Sequence, residues 1–406
     1  MVTSSPPTID IEALGLDEGA LLLVRKALLQ LAPGAVLGVT GRAPGWSSHL
    51  LAWCRSQGHG FELEERPDGR LMAWVRRSDQ AEGRWLGAQS TGRAVLGQEQ
   101  PWPAEQAQAS WGLAARGAKV EAGSPPMGFA LNRRDELWAA TAGELYRQAA
   151  AAQWDPEAAI DWQAPFELPD AVETAVVQVM TYLIENENAA LLVPARHLGQ
   201  IHPHYREVMQ LLALQCADEA RHVEVFTRRA TLKGREPGLS TAGGQTSLRT
   251  LFEASDFSQA TFLLSVLGEG TFVNLLNFLH AHAPDPVTRQ IARLTARDEA
   301  RHVAFGMAHL EHRLSVQPDY QIRLRNAMEQ RYDELSTSAG LNEEVFDALV
   351  LLAAGSLTPE AVRHGHQAVQ TLKQEMAGGR KARLSRLGFE RSEAQRLSDM
   401  HTRNFM

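Results

Sequence analysis

Ala217–Val223 and Arg297–Val303 are the same heptapeptide, Ala/Arg-Asp-Glu-Ala-Arg-His-Val, written twice with one change. Each copy carries a Glu and a His three residues apart, Glu219 with His222 and Glu299 with His302. On a helix of about 3.6 residues per turn the two side chains leave one face together. Each copy also lies in a long segment with helical apolar periodicity, so both pairs face a helical core, where unpaired polar groups are costly. Two such pairs supply four of the six ligands of a two-metal site, and a bundle core completes it with one carboxylate from each of two further helices.

The partner carboxylates follow from helical phase. Before the first pair, Glu187 shares its face with Leu183, Ile184, Ala190 and Leu191, whereas Glu185 shares its face with Thr181, Tyr182, Asn188 and Ala189 and points elsewhere. Before the second pair, Glu269 stands among Phe262, Val266, Phe272 and Leu276. Glu187 precedes Glu219 by 32 residues and Glu269 precedes Glu299 by 30, one helical hairpin in each half. Glu187, Glu219, His222, Glu269, Glu299 and His302 are the expected metal ligands.

Helices are expected over Asp135 to Ala152, Ala171 to Leu198 with a kink at Pro194, Tyr205 to Thr231, Ser258 to His280 and Val287 to Val316. Lys233 to Thr246 reads as a loop of Gly, Ser and Thr, and Pro284-Asp285-Pro286 as a turn. Further helices are expected over Gln321 to Ser336, Glu343 to Gly355 and Pro359 to Met376, the last broken by Gly378-Gly379. His364 and His366, two apart, point to different faces and read as surface residues. A hairpin of long helices, a long crossover and a second hairpin is the topology of a ferritin-like four-helix bundle. The fold is therefore expected to be mainly α, a ferritin-like bundle with extra C-terminal helices, preceded by a small α+β domain.

That first domain reads β-α-β-α-β-β: strands at Thr8 to Ile11 and Ala35 to Thr40, helices at Glu18 to Leu31 and Trp46 to Ser56, and a hairpin of Phe61 to Glu65 with Leu71 to Val75 around Pro67-Asp68-Gly69. The domains are expected at 1–79 (α+β), 80–132 (irregular connector), 133–335 (helical bundle) and 336–406 (C-terminal helical extension). In the connector, Trp85, Trp102 and Trp111 are expected to anchor it to a neighbouring domain.

The stretches VRKALLQLAPGAVLGV and LLAWCRSQGHGFELEERPDGRLMAWVRR resemble the small sulfur-carrier domains of the TusA/SirA-like family. That family holds a persulfide on a Cys in a Cys-Pro-X-Pro motif at the start of its first helix. Here the corresponding stretch is Leu16-Asp17-Glu18-Gly19-Ala20-Leu21, without a thiol, so recruitment, oligomerisation or substrate presentation is expected in place of sulfur relay. Cys54 reads as a small core residue.

The six-residue set with its helices, from about Pro169 to Val316, resembles the diiron or manganese-iron ferritin-like superfamily, in its oxygen-activating, ribonucleotide-reductase-small-subunit-like branch. The resemblance implies two Fe ions (or Mn/Fe), with dioxygen as co-substrate. It also implies that Asp218 accepts a hydrogen bond from His302, and Asp298 one from His222. Where that branch stores a radical on a Tyr four residues after the first His, this chain has Phe226. Where arylamine N-oxygenases add a third His, it has Thr295, with Gln215 the counterpart in the other half. Cys216, one turn before Glu219, is expected to face the interior near the metals, as core packing or as a substrate contact. Arg221 and Arg301 are expected to neutralise such buried acids or cap the bundle surface and not to bind substrate.

Composition narrows the partners. With a formal charge of −8 and mixed charges, no basic stripe for nucleic acid is present. Two cysteines, far apart, exclude a disulfide framework and a Cys-based zinc site. The start lacks a signal-peptide pattern and the apolar runs are interrupted by charge, so a soluble, cytoplasmic protein with no membrane partner is expected. The expected activity is a dioxygen-activating dimetal oxidase or monooxygenase that hydroxylates, desaturates or N-oxidises a small organic substrate, with an external electron donor and a homodimeric assembly. A ferroxidase or peroxide scavenger, and an adaptor with a vestigial metal site, are the alternatives.

Overall fold

The computed structural model describes residues 5–79, 87–92, 103–336 and 343–400. The chain divides into two compact units, Met1–Arg93 with Gly117–Pro126, and Ala94–Arg116 with Met127–Met406. The 80–132 stretch is thus shared between both units. Trp85 and Trp102 lie outside the described residues, while Trp111 belongs to the second unit and packs 5.1 Å from the His204 ring.

The first unit is built on a four-stranded sheet of order β1-β2-β4-β3, with β1 (Thr8–Asp10), β2 (Val36–Thr40), β3 (Gly60–Glu65) and β4 (Leu71–Arg76). β1 and β2 run parallel, joined through helix α1 (Leu21–Leu29), and β3–β4 is an antiparallel hairpin. The first helix is shorter than its periodicity suggests, because Leu16–Ala20 forms a wider turn with Gly19 at φ 114°. α2 (Trp46–Gln57) joins the core: Val24 and Leu28, Leu50 and Cys54, and the inward residues Leu37, Val39, Ala73 and Val75 form one buried cluster. Cys54 is fully buried, and burial pushes its thiol up to about 12. Two short strands, β5 (Gln89–Ser90) and β6 (Lys119–Val120), pair separately.

The second unit is helical. The helix expected over Asp135 to Ala152 is broken: a short turn at Arg134–Leu137 precedes α3 (Ala142–Ala151), because Trp138 is extended and presents its carbonyl to His309 Nδ1 at 3.1 Å. The four long helices are α4 (Asp170–Leu198), α5 (Arg206–Thr231), α7 (Phe257–His282) and α8 (Pro286–Val316), and α6 (Ala242–Phe252) lies in the crossover between the second and third. α6 begins inside the stretch read as loop: Thr241 caps it by accepting from the Gly244 amide, and Gly243 and Gly244 are buried. α4 packs along α5 and α7 along α8, giving a four-helix bundle in two hairpins. Asp285 and Pro286 start α8 as N-cap and first residue, the Asp285 carboxylate accepting from the Thr288 amide at 2.8 Å.

Beyond the bundle come α9 (Tyr320–Ser336), α10 (Glu343–Ala354), α11 (Pro359–Arg386) and α12 (Arg391–Met400). α10 lies on α4, and α11 on α7. α11 runs through Gly378-Gly379 without a break. The Arg383 guanidinium of α11 lies over Gly270 of α7, 2.5 Å from where a β-carbon would sit. α7 is long and apolar enough to cross a membrane, but most of it is buried inside the bundle.

Candidate metal centre

The polar residues of the bundle core are placed by the same 3–4 spacing as its apolar ones. On α5 the buried stripe runs Val208, Leu211, Gln215, Glu219, His222, Phe226, Arg229; on α8 it runs Ile291, Thr295, Glu299, His302, Phe305, His309. Glu187 occupies the same kind of stripe on α4, between Leu183 and Ala190. On α7 the local geometry departs from an α-helix. Phe262–Glu269 is π-helical, and the Gly270 amide reaches back to the Ser265 carbonyl, five residues earlier. Such a segment inserts a residue into the helical register and is frequent at functional sites. It ends on Glu269.

All six expected ligands are buried and come together in two overlapping groups. Glu187, Glu219, His222 and Glu299 form one, and Glu219, Glu269, Glu299 and His302 the other, with the ligand atoms of each within 4.8 Å of one another. Glu219 and Glu299 belong to both. Each imidazole turns Nδ1 inward: His222 Nδ1 is 3.0 Å from Glu219 and 3.6 Å from Glu187, and His302 Nδ1 is 2.9 Å from Glu219 and 3.4 Å from Glu299. Glu185 joins neither group.

The opposite ring nitrogens meet the aspartates crosswise between the repeats. His222 Nε2 lies 3.2 Å from Asp298, and His302 Nε2 lies 3.3 Å from Asp218. A carboxylate there fixes the imidazole tautomer and raises its basicity toward a metal at Nδ1. Arg221 bridges the two aspartates, bonding Asp218 and lying 3.1 Å from Asp298, and Arg301 mirrors it with a bond to Asp298. Two residues that the sequence did not single out complete this layer. Gln153 donates to Asp218 at 2.8 Å and Trp154 Nε1 donates to Asp298 at 2.7 Å. No spacing signal points to them, since their partners lie 65 and 144 residues away.

Protonation reflects the crowding. Burial, then the charges of Glu299 and Glu219, hold Glu187 well above the ordinary carboxylate range, and burial and Glu299 do the same to Glu269. Burial also raises Glu219, but His302 and His222 overcome it and hold it ionised far below that range. Burial alone would strip His222 of its proton; Asp298, Glu187, Glu219 and Glu299 reverse that, and Glu219 and Asp218 do likewise for His302.

This donor set fits two divalent metals. Four ionised carboxylates carry the charge that two such ions neutralise, and carboxylate oxygen with imidazole nitrogen is the ligand mixture that iron and manganese accept. Glu187 Oε1 and Glu269 Oε2 are buried with no hydrogen-bond partner, while Glu219 Oε1 and Glu299 Oε2 have only His302 Nδ1 beside them, at 2.9 and 3.4 Å. Buried polar atoms are normally satisfied, so two unpaired carboxylate oxygens, one in each group, mark places for cations. Gln215 donates to the other Glu269 oxygen at 3.0 Å, leaving Oε2 to turn inward. Its counterpart Thr295 is fully buried and makes no equivalent bond.

Cys216 is half-buried, with Sγ facing the Leu191 carbonyl at 3.8 Å, outside both groups; burial and Glu219 push its thiol up to about 11. Phe226 is buried in the bundle core below His222. His364 and His366 are exposed. A narrow cleft of about 40 Å³ opens beside Glu187, Glu269 and Glu299.

No family model and no curated protein matches the sequence. Two solved structures of an R2-like ligand-binding oxidase are similar to it. A variant with an aerobically reconstituted Mn/Fe cofactor is 17% identical with a TM-score of 0.44, covering 62% of this chain and 93% of its own. A variant with the Mn/Fe cofactor reconstituted anaerobically is 17% identical with a TM-score of 0.45, covering 58% of this chain and 92% of its own.

Proposed function

We propose that the protein is a dioxygen-activating dimetal oxidoreductase that oxidises a small organic molecule. The observation that carries this reading is the pair of overlapping ligand groups sharing Glu219 and Glu299, beside a cleft in an apolar bundle. Two redox-active metals bound there would supply the one- and two-electron chemistry with dioxygen that no side chain offers. Glu187 with His222 would hold one ion and Glu269 with His302 the other, with Glu219 and Glu299 available to both. Asp298 and Asp218 keep each imidazole turned toward its ion, and the packed walls of the bundle exclude water.

The cleft favours an organic substrate over simple iron oxidation: its walls are mostly apolar and it opens directly on three of the four ligand carboxylates. Electrons beyond those the substrate gives must come from an external donor. Metal analysis is expected to find two ions per chain in the wild type and a loss of at least one in Glu219→Ala and in Glu299→Ala. The iron- or manganese/iron-loaded, reduced protein is expected to consume dioxygen faster than the same metal free in buffer. Equal rates would sink the oxidase reading.

A further inference from the structure

We propose that the second unit carries a further small-molecule site, at one end of the helical bundle, and that it takes a small polar carboxylate with Arg196 as the partner of the acid group. A cavity of about 480 Å³ lies there between the last turn of α4, the first turn of α7, Arg313 of α8 and Arg323 of α9. That is room for a small organic molecule. None of the six expected metal ligands lines it, and His197 on its wall stands ten residues beyond Glu187 on α4, a rise of about 15 Å. The inference goes beyond the oxidase reading and does not depend on it.

The charges on and behind the wall pair off with one cation left over. Arg323 lies 3.3 Å from Asp256, whose carboxylate also accepts from the Tyr320 hydroxyl and from the Gln259 amide at 3.0 Å. Arg313 lies 3.2 Å from Asp135, which Arg133 also holds at 3.0 Å, and Arg133 reaches Glu136 at 3.7 Å. Arg196, half-buried, has no carboxylate partner among the described residues. Its guanidinium donates to the Phe252 carbonyl at the end of α6 and, at 3.1 Å, to Nε2 of His197.

His197 orients that guanidinium without neutralising it. A guanidinium only donates, so Nε2 is the acceptor and the ring carries its single proton on Nδ1. Burial, then the charge of Arg196, push the imidazole down to about 4, which keeps it neutral. The ring is 6% exposed and packs edge-on against Phe257 with centroids 5.4 Å apart, so it is a fixed support. Both partners of Arg196 are therefore neutral acceptors, and its remaining N–H groups are left for a ligand.

One unmatched guanidinium suits one negative charge. A planar carboxylate meets it through parallel N–H···O bonds, whereas a phosphate dianion would bring a second charge toward Glu136 and Asp256 on the same wall. Gln200 and Ser255 add polar groups to the lining, which favours a hydroxylated body over a hydrocarbon one.

The test titrates D-gluconate and D-gluconamide, one hydroxylated chain with and without the charge, into the full-length, metal-free protein by calorimetry. Gluconate is expected to bind about tenfold more tightly than the amide or better, the worth of one charge-assisted pair. Arg196→Gln should abolish that preference, Glu136→Gln should strengthen gluconate binding about twofold by removing a nearby negative charge, and Ala130→Trp at the exposed rim should remove binding of both probes. Equal affinity of acid and amide in the wild type, or no binding of gluconate, overturns the proposal whether or not the variants fold. Persistence of the preference in folded Arg196→Gln, or of binding in folded Ala130→Trp, overturns it as well, and inorganic phosphate binding more tightly than gluconate overturns the carboxylate assignment. Glu219→Ala should leave gluconate binding unchanged, since a loss there would put the probe at the metal centre. Dioxygen consumption without the gluconate preference removes this inference alone, whereas the preference without dioxygen consumption upholds it and removes the oxidase reading.

Discussion

Asp298 and Asp218 decide what His222 and His302 can do, because an imidazole with an anion at Nε2 keeps that proton and offers Nδ1 as donor. Asp298→Asn removes the charge at 3.2 Å from His222 while keeping the side-chain shape. We expect it to weaken the affinity of the adjacent metal by about 10–100-fold, read by chelator competition, with little change in fold. Protons compete at the same atoms. Glu187 and Glu269 hold protons at pH values where an ordinary Glu has lost them, and His222 and His302 hold theirs above the ordinary range. Metal must displace them, so affinity should fall as pH is lowered, and binding should release protons, seen as a buffer-dependent heat in calorimetry. Affinity independent of pH between 6 and 8 would contradict these assignments. At this scale the sequence is most legible where helical phase decides: Glu187 lies in the buried carboxylate–histidine cluster and Glu185 does not, as their neighbours on the helix indicate. Gln153 and Trp154 were illegible, since a contact across 144 residues leaves no periodic trace.

Among elements, the π-helical segment of α7 and its fit against α8 set where Glu269 lies. Gly306, one turn beyond His302, is the contact that permits it: a β-carbon there would lie 2.8 Å from the Ser265 β-carbon and 3.3 Å from Val266. Neither atom is the free end of a flexible side chain, so Gly306→Ala must push α7 and α8 apart. We expect a loss of about 1–3 kcal/mol in stability by denaturant titration, despite the better helix propensity of Ala. Metal affinity should fall in the same variant, because Ser265 and Glu269 share the displaced segment; unchanged stability would show that the helices are not tightly coupled. The long helices and their order were readable from apolar periodicity because each buries one continuous face. The π-helical insertion was not, since α7 is apolar on nearly every side and any register fits its pattern. α6 was missed for a related reason: Gly243 and Gly244, which ordinarily mark a loop, here allow close packing at its first turn. Gly378-Gly379 also reads as a break, yet α11 is continuous through it.

At the scale of the whole molecule, the second unit places a cluster of acids and imidazoles inside an apolar bundle, and folding has to bear that. Without metal, the cluster is held together by protons on Glu187, Glu269, His222 and His302 and by the ionised Glu219, with buried oxygens left unpaired. Replacing a whole buried ion pair by apolar groups of similar volume is often neutral or stabilising by about 1–4 kcal/mol, and a single buried acid can be replaced without loss only if no charge is left stranded. Glu187 meets that condition best. It is held protonated, one of its oxygens is unpaired, and the other lies 3.6 Å from His222, which keeps Glu219 and Asp298 as partners. Glu219 does not meet it, because its removal would take the ionised partner from Nδ1 of both protonated imidazoles. Glu187→Leu is therefore expected to raise the thermal midpoint of the metal-free protein. The wild type should gain stability on metal addition in proportion to the logarithm of free metal over its dissociation constant, and the variant should lose most of that gain. The two melting curves would then cross as metal is added. A metal-free Glu187→Leu protein less stable than the wild type would mean that Glu187 serves the apo fold, and that the centre is held in place by its own hydrogen bonds and not by the metals it is arranged to receive.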